Sequence, residues 1–148
     1  MNVEQSIKHE RCVRQGRLFE LMAMRGLDME DFADKYMNSE FCLLCMDGDY
    51  SRYQVGAMNY ILDELDDEFL DQVKRCSERF DPQTSEWIGY LYRRMAIDSR
   101  LPSSVIYKAH PYREMLLCYP GYHTMSVPEA SEQLIQTIDA DVKVADGR

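Results

Sequence analysis

Cys42 and Cys45 stand three apart in Cys42-Leu43-Leu44-Cys45, the spacing of a redox pair or of half a zinc site. A structural zinc ion takes four ligands, and the chain supplies no second Cys-x-x-Cys and no His-x-x-x-His. Its three histidines, His9, His110 and His123, are scattered. The intervening Leu-Leu is core-like, so the pair reads as structural. Cys118 and His123 are a second thiol–imidazole combination, but Pro120-Gly121 separates them and no oxyanion donors are marked nearby. The arrangement of HEPN-type nucleases, an arginine a few residues before a histidine on one helix, is missing: Arg113 precedes His123 by ten positions. Only seven glycines occur and none cluster, so no phosphate-cradling loop is apparent. Each candidate lacks a necessary part, and the expectation is no catalytic residue, no cofactor and no metal.

Charge is the other chemistry on offer. Between Asp28 and Asp71 there are thirteen acidic residues against two basic ones, Lys35 and Arg52. The densest run is Asp63, Glu64, Asp66, Asp67 and Glu68, with Asp71 just after. Like charges at i, i+4 oppose helix formation, so the run is either a solvated face or a surface for a basic partner. The first helix is richer in cations (Lys8, Arg11, Arg14, Arg17, Arg25), as is the second half (Arg93, Arg94, Arg100, Lys108, Arg113). Ten methionines and ten tyrosines suit an adaptable contact surface as well as a core. The expected partner contacts are the acidic run and an exposed group of Tyr90, Tyr107, Tyr119 and Tyr122, with His123 beside them. His123-Thr124 has a plainer use, hydrogen bonding to backbone and capping the last helix.

The elements that must position these residues read as helices throughout. In 148 residues, 45% are hydrophobic, enough for one core, and the net charge is −9, unfavourable for wrapping nucleic acid. Five cysteines, an odd number, read as reduced and therefore cytoplasmic. Neither a signal-peptide pattern nor a membrane-spanning apolar run is present. The spacing predicts an all-α bundle of about seven to eight short and medium helices. The first runs over 3–25 with a face of Val13, Leu18, Leu21, Met22 and Met24, and Gly26 ends it. Asp28 caps a second, whose stripe is Met29, Phe32, Ala33, Tyr36 and Met37. Asn38 or Ser39 caps a third through Met46, and Asp47-Gly48-Asp49 turns the chain. Ser51 opens a fourth that continues, with a kink, through Phe69, Leu70 and Val73. Residues 78–85 form a linker centred on Asp81-Pro82, where a single domain could subdivide. Further helices cover 85–99, a stretch opened by Pro102, and one from Pro111 to Cys118. Pro120-Gly121 makes a sharp turn, Ser126 and Glu129 form a capping box, and Leu134, Ile135 and Ile138 are the buried side of the last helix. The polar stretch 139–148 reads as a fraying tail.

Residues 17–25, 28–37 and 38–46 have helix-turn-helix cadence, but 38–45 hold no Arg, Lys or Gln to read bases. Two stretches carry a resemblance: Trp87-Ile88-Gly89-Tyr90-Leu91-Tyr92-Arg93, and Ser103 to Lys108 continuing to Tyr119-Pro120-Gly121-Tyr122-His123-Thr124-Met125-Ser126. Lys35 to Ser39 and Tyr60 to Leu65 add to it. Together they resemble small bacterial helical proteins of toxin–antitoxin-like gene neighbourhoods. That resemblance implies an antitoxin-like or accessory role, a protein that neutralises a toxin enzyme by covering it. The expected function is a non-catalytic protein-binding module. The alternatives are a transcriptional regulator with a degenerate helix-turn-helix and a phage-type acidic inhibitor that mimics nucleic acid.

Overall fold

A computed structural model describes residues 2–48, 58–76 and 79–146, with side chains through Ile138. It is all-α: seven α-helices, one π-helical turn and one 3-10 turn among the described residues, with a lone antiparallel bridge, Leu27 to Arg75, outside them.

Helix α1 (Val3–Met24) opens with a capping box: the Asn2 side chain accepts from Gln5 N–H at 2.7 Å, and Gln5 Oε1 accepts from Asn2 N–H at 3.1 Å. It ends at Gly26, whose φ of +80° is one that side chains with a Cβ disfavour. Asp28 caps α2 (Met29–Met37) by accepting from Glu30 and Asp31 N–H. Ser39, not Asn38, starts the next short helix, with Oγ accepting from Cys42 N–H at 3.0 Å. Its final turn, Cys42–Met46, is π-helical, and Asp47 N–H reaches back five residues to Cys42 O at 2.9 Å.

Helix α3 (Met58–Glu68) is followed by a 3-10 turn, Leu70–Gln72, and extended backbone at Val73. The expected kinked continuation is met as far as this 3-10 turn, after a break at Phe69, and stops short of Val73; the expected start at Ser51 lies outside the described residues. Helix α4 (Pro82–Ser99) corrects the linker: Asp81 is its N-cap, accepting from Thr84 N–H at 2.8 Å, and Pro82 occupies the first turn, where a missing N–H costs nothing. Pro102 precedes α5 (Ser103–Ala109) as its N-cap instead of lying inside it. Helix α6 (Tyr112–Tyr122) runs through Pro120-Gly121, so no sharp turn forms there; a late proline removes one backbone hydrogen bond without ending the helix. Helix α7 (Val127–Asp146) begins beside Ser126, whose Oγ accepts from Glu129 N–H, and continues through most of the stretch read as a tail.

The core is built on α1 against α4. A Cβ at Gly89 would lie 2.7 Å from Phe19 Cγ and 2.8 Å from Gln15 O, so only glycine lets the two backbones approach. The buried face of α1 is Arg11, Cys12, Gln15, Gly16, Leu18, Phe19, Met22 and Ala23; Met24, expected inside, is 67% exposed. Polar and glycine positions interrupt this face, which is why apolar spacing located it poorly. Phe19, with no exposed area, meets Phe32, Tyr36 and Tyr92 edge-on. One continuous buried cluster extends from Leu18 to Ile138 and includes α2, α3, α6 and α7.

Candidate functional site

The segment 40–46 has different charge on its two sides. On one side it faces α3. There Ile61 and Leu65 turn into the core, leaving Asp63, Glu64, Asp66 and Asp67 exposed. Between α3 and segment 40–46 lies a groove of about 340 Å3, lined by Phe41, Leu44 and Cys45 and by the acids Glu40, Glu64, Asp67 and Glu68. Leu44 is 61% exposed. Burial first, and the Glu64 charge second, push the Cys45 thiol up, so it stays neutral and adds apolar lining.

The acids of 28–71 divide by use. Asp28 caps α2. Asp31 pairs with Lys35 at 2.6 Å and accepts from Lys74 N–H at 2.8 Å. Glu30 pairs with Arg113, and Asp34 accepts from the Asn38 side chain. Glu68, expected as a partner contact, accepts from the N–H groups of Glu40 and Phe41 at 2.8 and 3.0 Å, holding the start of segment 40–46. By contrast, Asp63, Glu64, Asp66, Asp67 and Asp71 form no ion pair or side-chain hydrogen bond among the described residues.

The tyrosines are not one exposed group. Tyr90, Tyr107, Tyr119 and Tyr122 are all half-buried. Tyr107 sits against α2, donating to Glu30 O at 3.3 Å; its phenol is pushed up to about 12, mainly by burial. Tyr90 lies on the opposite, α1 side, its hydroxyl 3.0 Å from His9 Nδ1. Tyr119 meets Trp87 edge-on at 5.2 Å and stacks on His123 at 4.4 Å. His123 Nδ1 is 2.7 Å from Tyr119 O, the backbone contact expected of it, while Ser126 does the capping. Each ring has an apolar body that gains by packing, so full exposure would forgo that burial. Trp87 and Tyr90, one turn apart on α4, bring His9, Tyr90, Trp87, Tyr119 and His123 into a broken aromatic row.

On the inner side of segment 40–46 is a polar hub that no sequence motif marked. Arg93, 1% exposed, donates Nη1 to Asp47 Oδ1 at 2.6 Å and to Met46 O at 3.1 Å. Its Nε and Nη2 reach Gln15 Oε1 at 3.1 and 2.9 Å, and Nη2 also meets Ser103 Oγ at 2.9 Å and Cys42 Sγ at 3.2 Å. Gln15 in turn accepts from Tyr36 OH at 2.8 Å and donates to Gly89 O at 2.9 Å. Asp47 accepts from Ser103 N–H and Oγ–H at 2.9 and 2.6 Å. Burial works against the Arg93 cation, but Cys42, Tyr36 and Asp47 outweigh it and raise its pKa. Burial holds Cys42 and Tyr36 neutral, so the operative anion is Asp47. The hub ties α1, α2, segment 40–46, α4 and α5 together.

The three thiols considered for chemistry, Cys42, Cys45 and Cys118, are all shifted up, first by burial, away from the thiolate form. Cys42 is fully buried and shifted up by burial, and Cys118 is shifted up by burial and by Glu114. Among the described residues no group of three or more His, Cys, Asp or Glu is arranged to hold a metal, and no helix is long and apolar enough to cross a membrane. No protein-family model, no curated protein and no solved structure matches this chain.

Proposed function

We propose that this chain is a non-catalytic protein-binding module that receives a basic, partly apolar surface in the groove between α3 and segment 40–46. One observation carries the reading: exposed carboxylates that form no ion pair or side-chain hydrogen bond among the described residues stand beside an exposed leucine, while neighbouring acids in the same stretch are engaged inside the fold. Repulsion among these acids opposes the helix that bears them, and a basic partner would relieve it. Exposed Leu44 supplies the apolar anchor that surface charge alone lacks. The finer reading is antitoxin-like, the partner being a toxin enzyme covered by this face. The acidic rim argues against the helix-turn-helix alternative, because segment 40–46 would meet DNA phosphates with Glu40.

The test uses the full chain as bait in its native host, beside a Glu64→Lys/Asp67→Lys variant and an Asp71→Lys control outside the groove. The reading expects a basic protein retained by wild type and control and lost from the double variant at unchanged thermal stability. Equal capture by all three baits overturns it. Competition by RNA for the same captured protein would make the groove a nucleic-acid mimic.

A further inference from the structure

The three histidines are placed differently in the fold. His9 and His123 are exposed, and each has one ring nitrogen within hydrogen-bond reach of a partner, Tyr90 OH and Tyr119 O. His110 is 2% exposed, and both of its ring nitrogens are engaged. Nδ1 is 2.7 Å from Glu114 Oε1, in the first turn of α6. Nε2 is 3.0 Å from Leu134 O, a backbone carbonyl within α7. The ring itself is held from the backbone: His110 caps α5, its N–H donating to Ile106 O at 2.9 Å, and Tyr92 OH donates to His110 O at 2.6 Å.

These two partners decide how many protons the ring needs. A backbone carbonyl and a carboxylate both accept, and neither has a proton to give. A neutral imidazole carries one N–H, so it serves one of them and turns a lone pair towards the other. The doubly protonated ring serves both. Removing one proton therefore sets the Nδ1 lone pair against the Glu114 carboxylate or leaves Leu134 O without its donor. Among the described residues, the other side-chain hydrogen bond from α7 to the rest of the fold is Ser131 Oγ to Asp98 Oδ2 at 2.9 Å. The apolar seat of α7 is Ala130, Leu134 and Ile138.

The other titratable groups around this ring are neutral or committed elsewhere. Tyr92 from α4, Tyr107 from α5, and Tyr112 and Cys118 from α6 are all pushed up by burial and stay uncharged. From α2, Glu30 pairs with Arg113 of α6, and Asp34 accepts from Asn38. On α4, Asp98 pairs with Arg94. Lys108 of α5 and the described acids of α7, Glu129 and Glu132, are exposed.

We infer that His110 is a proton-dependent latch on α7: as an imidazolium it ties Glu114 of α6 to the α7 backbone, and loss of its proton loosens α7 and bares Leu134 and Ile138. The latch lies outside the groove between α3 and segment 40–46, so it stands apart from the protein-binding reading. Its contribution is complete below the unfolded histidine value of about 6.5 and is lost as pH rises through the folded one.

Amide hydrogen exchange of the full chain, read as protection factors, compares α7 with the buried core of α1 between about pH 5.5 and 8.5, a range that brackets histidine titration. The ratio of α7 to α1 protection should fall about tenfold as pH rises, the scale of one charged hydrogen bond. Nitrogen NMR of the His110 ring should show two protonated nitrogens at the acid end and one at the alkaline end. Glu114→Gln changes a side chain that is 46% exposed, and its amide accepts from Nδ1–H or donates to a bare Nδ1. The contact then survives in either state, and the protection ratio should be flat with pH. A merely structural His110 would give the same pH response in both proteins. A single protonated ring nitrogen at the acid end, a flat ratio in the wild type, or an equal fall in Glu114→Gln overturns the inference.

Discussion

The Arg93 hub and the acidic face of α3 use charge in opposite ways. In the hub, guanidinium, carboxylate, amide and hydroxyl satisfy one another out of water. On α3, exposed carboxylates crowd together with no cation among the described residues to offset them. The first arrangement is costly to break and the second costs little to alter. A buried ion loses its hydration and depends on its partners, whereas an exposed one stays solvated. The contrast separates the part of the charge pattern that holds the fold from the part that the described fold leaves unengaged.

The largest effect should come from the hub. Arg93→Met leaves Asp47 in a 10%-exposed site without its cation, leaves Gln15 Oε1 with the Tyr36 hydroxyl in place of three donors, and removes the donor to Ser103 Oγ. The expected loss is about 3–5 kcal/mol in denaturant unfolding. Arg93→Met with Asp47→Leu should recover part of that, because no orphan charge remains. A loss under about 1 kcal/mol for the single variant would remove the hub from the account of stability.

Next is the close approach that lets Arg93 reach Gln15. Gly89→Ala puts a methyl 2.8 Å from Gln15 O, a backbone atom that cannot rotate away. It should cost about 1–3 kcal/mol, the usual range for overpacking. Gly121→Ala, with nothing within 4 Å of its added Cβ, should instead stabilise α6 by up to about 1 kcal/mol. Equal effects at the two positions would mean that α1 and α4 are not held where these contacts place them.

These two regions were unequally legible in the sequence. Local signals worked: the Met29-to-Met37 stripe, Asp28 as a cap and Gly26 as a stop all depend on neighbours within a few residues. The acidic run was visible as composition, and its exposure followed from the apolar spacing of Ile61 and Leu65. The hub was not visible. Arg93 adjoins Arg94, and nothing local says that one is buried and the other is not. Its partners Gln15 and Asp47 lie 78 and 46 residues away. Glu68 was misread for the same reason: it sits in an acidic run, but its role is set by backbone N–H groups 27 and 28 residues earlier. Pro120 was misread because proline punctuation is strong in a sequence but yields to tertiary packing late in a helix.

Glu68 gives a test within the acidic stretch itself. Glu68→Gln weakens two hydrogen bonds at the start of segment 40–46 and should cost about 1 kcal/mol, the scale of a lost cap. Asp67→Asn, one residue away, should change stability by less than about 0.5 kcal/mol. Asp31 adds a pH test. Burial raises its pKa, but the hydrogen bond from Lys35, the Lys74 N–H and both lysine charges together lower it below the ordinary carboxylate value. Its contribution is thus present above the unfolded pKa of about 3.9 and is lost as pH falls through the lower folded value. Asp31→Asn should flatten the acid limb of the stability curve below about pH 4. An unchanged acid limb would mean that Asp31 has no such role.

The smallest effect is the most direct probe of the α3 face. Repulsion between Asp63 and Asp67, or between Glu64 and Asp67, is worth only a few tenths of a kcal/mol per pair. Salt screens such exposed charges, shortening the Debye length from about 30 Å at 0.01 M to about 3 Å at 1 M. Sodium chloride should therefore raise the melting temperature of the wild type slightly. The same titration on Asp63→Asn/Asp67→Asn should show a smaller rise, from a starting point equal to or above wild type. The hub provides the internal reference, since its buried pair is little screened and Arg93→Met should keep the wild-type salt slope at its lower stability. If instead the Asn variant melted lower than wild type at low salt, the carboxylates of α3 would be holding the fold together, and the division between the two regions would collapse.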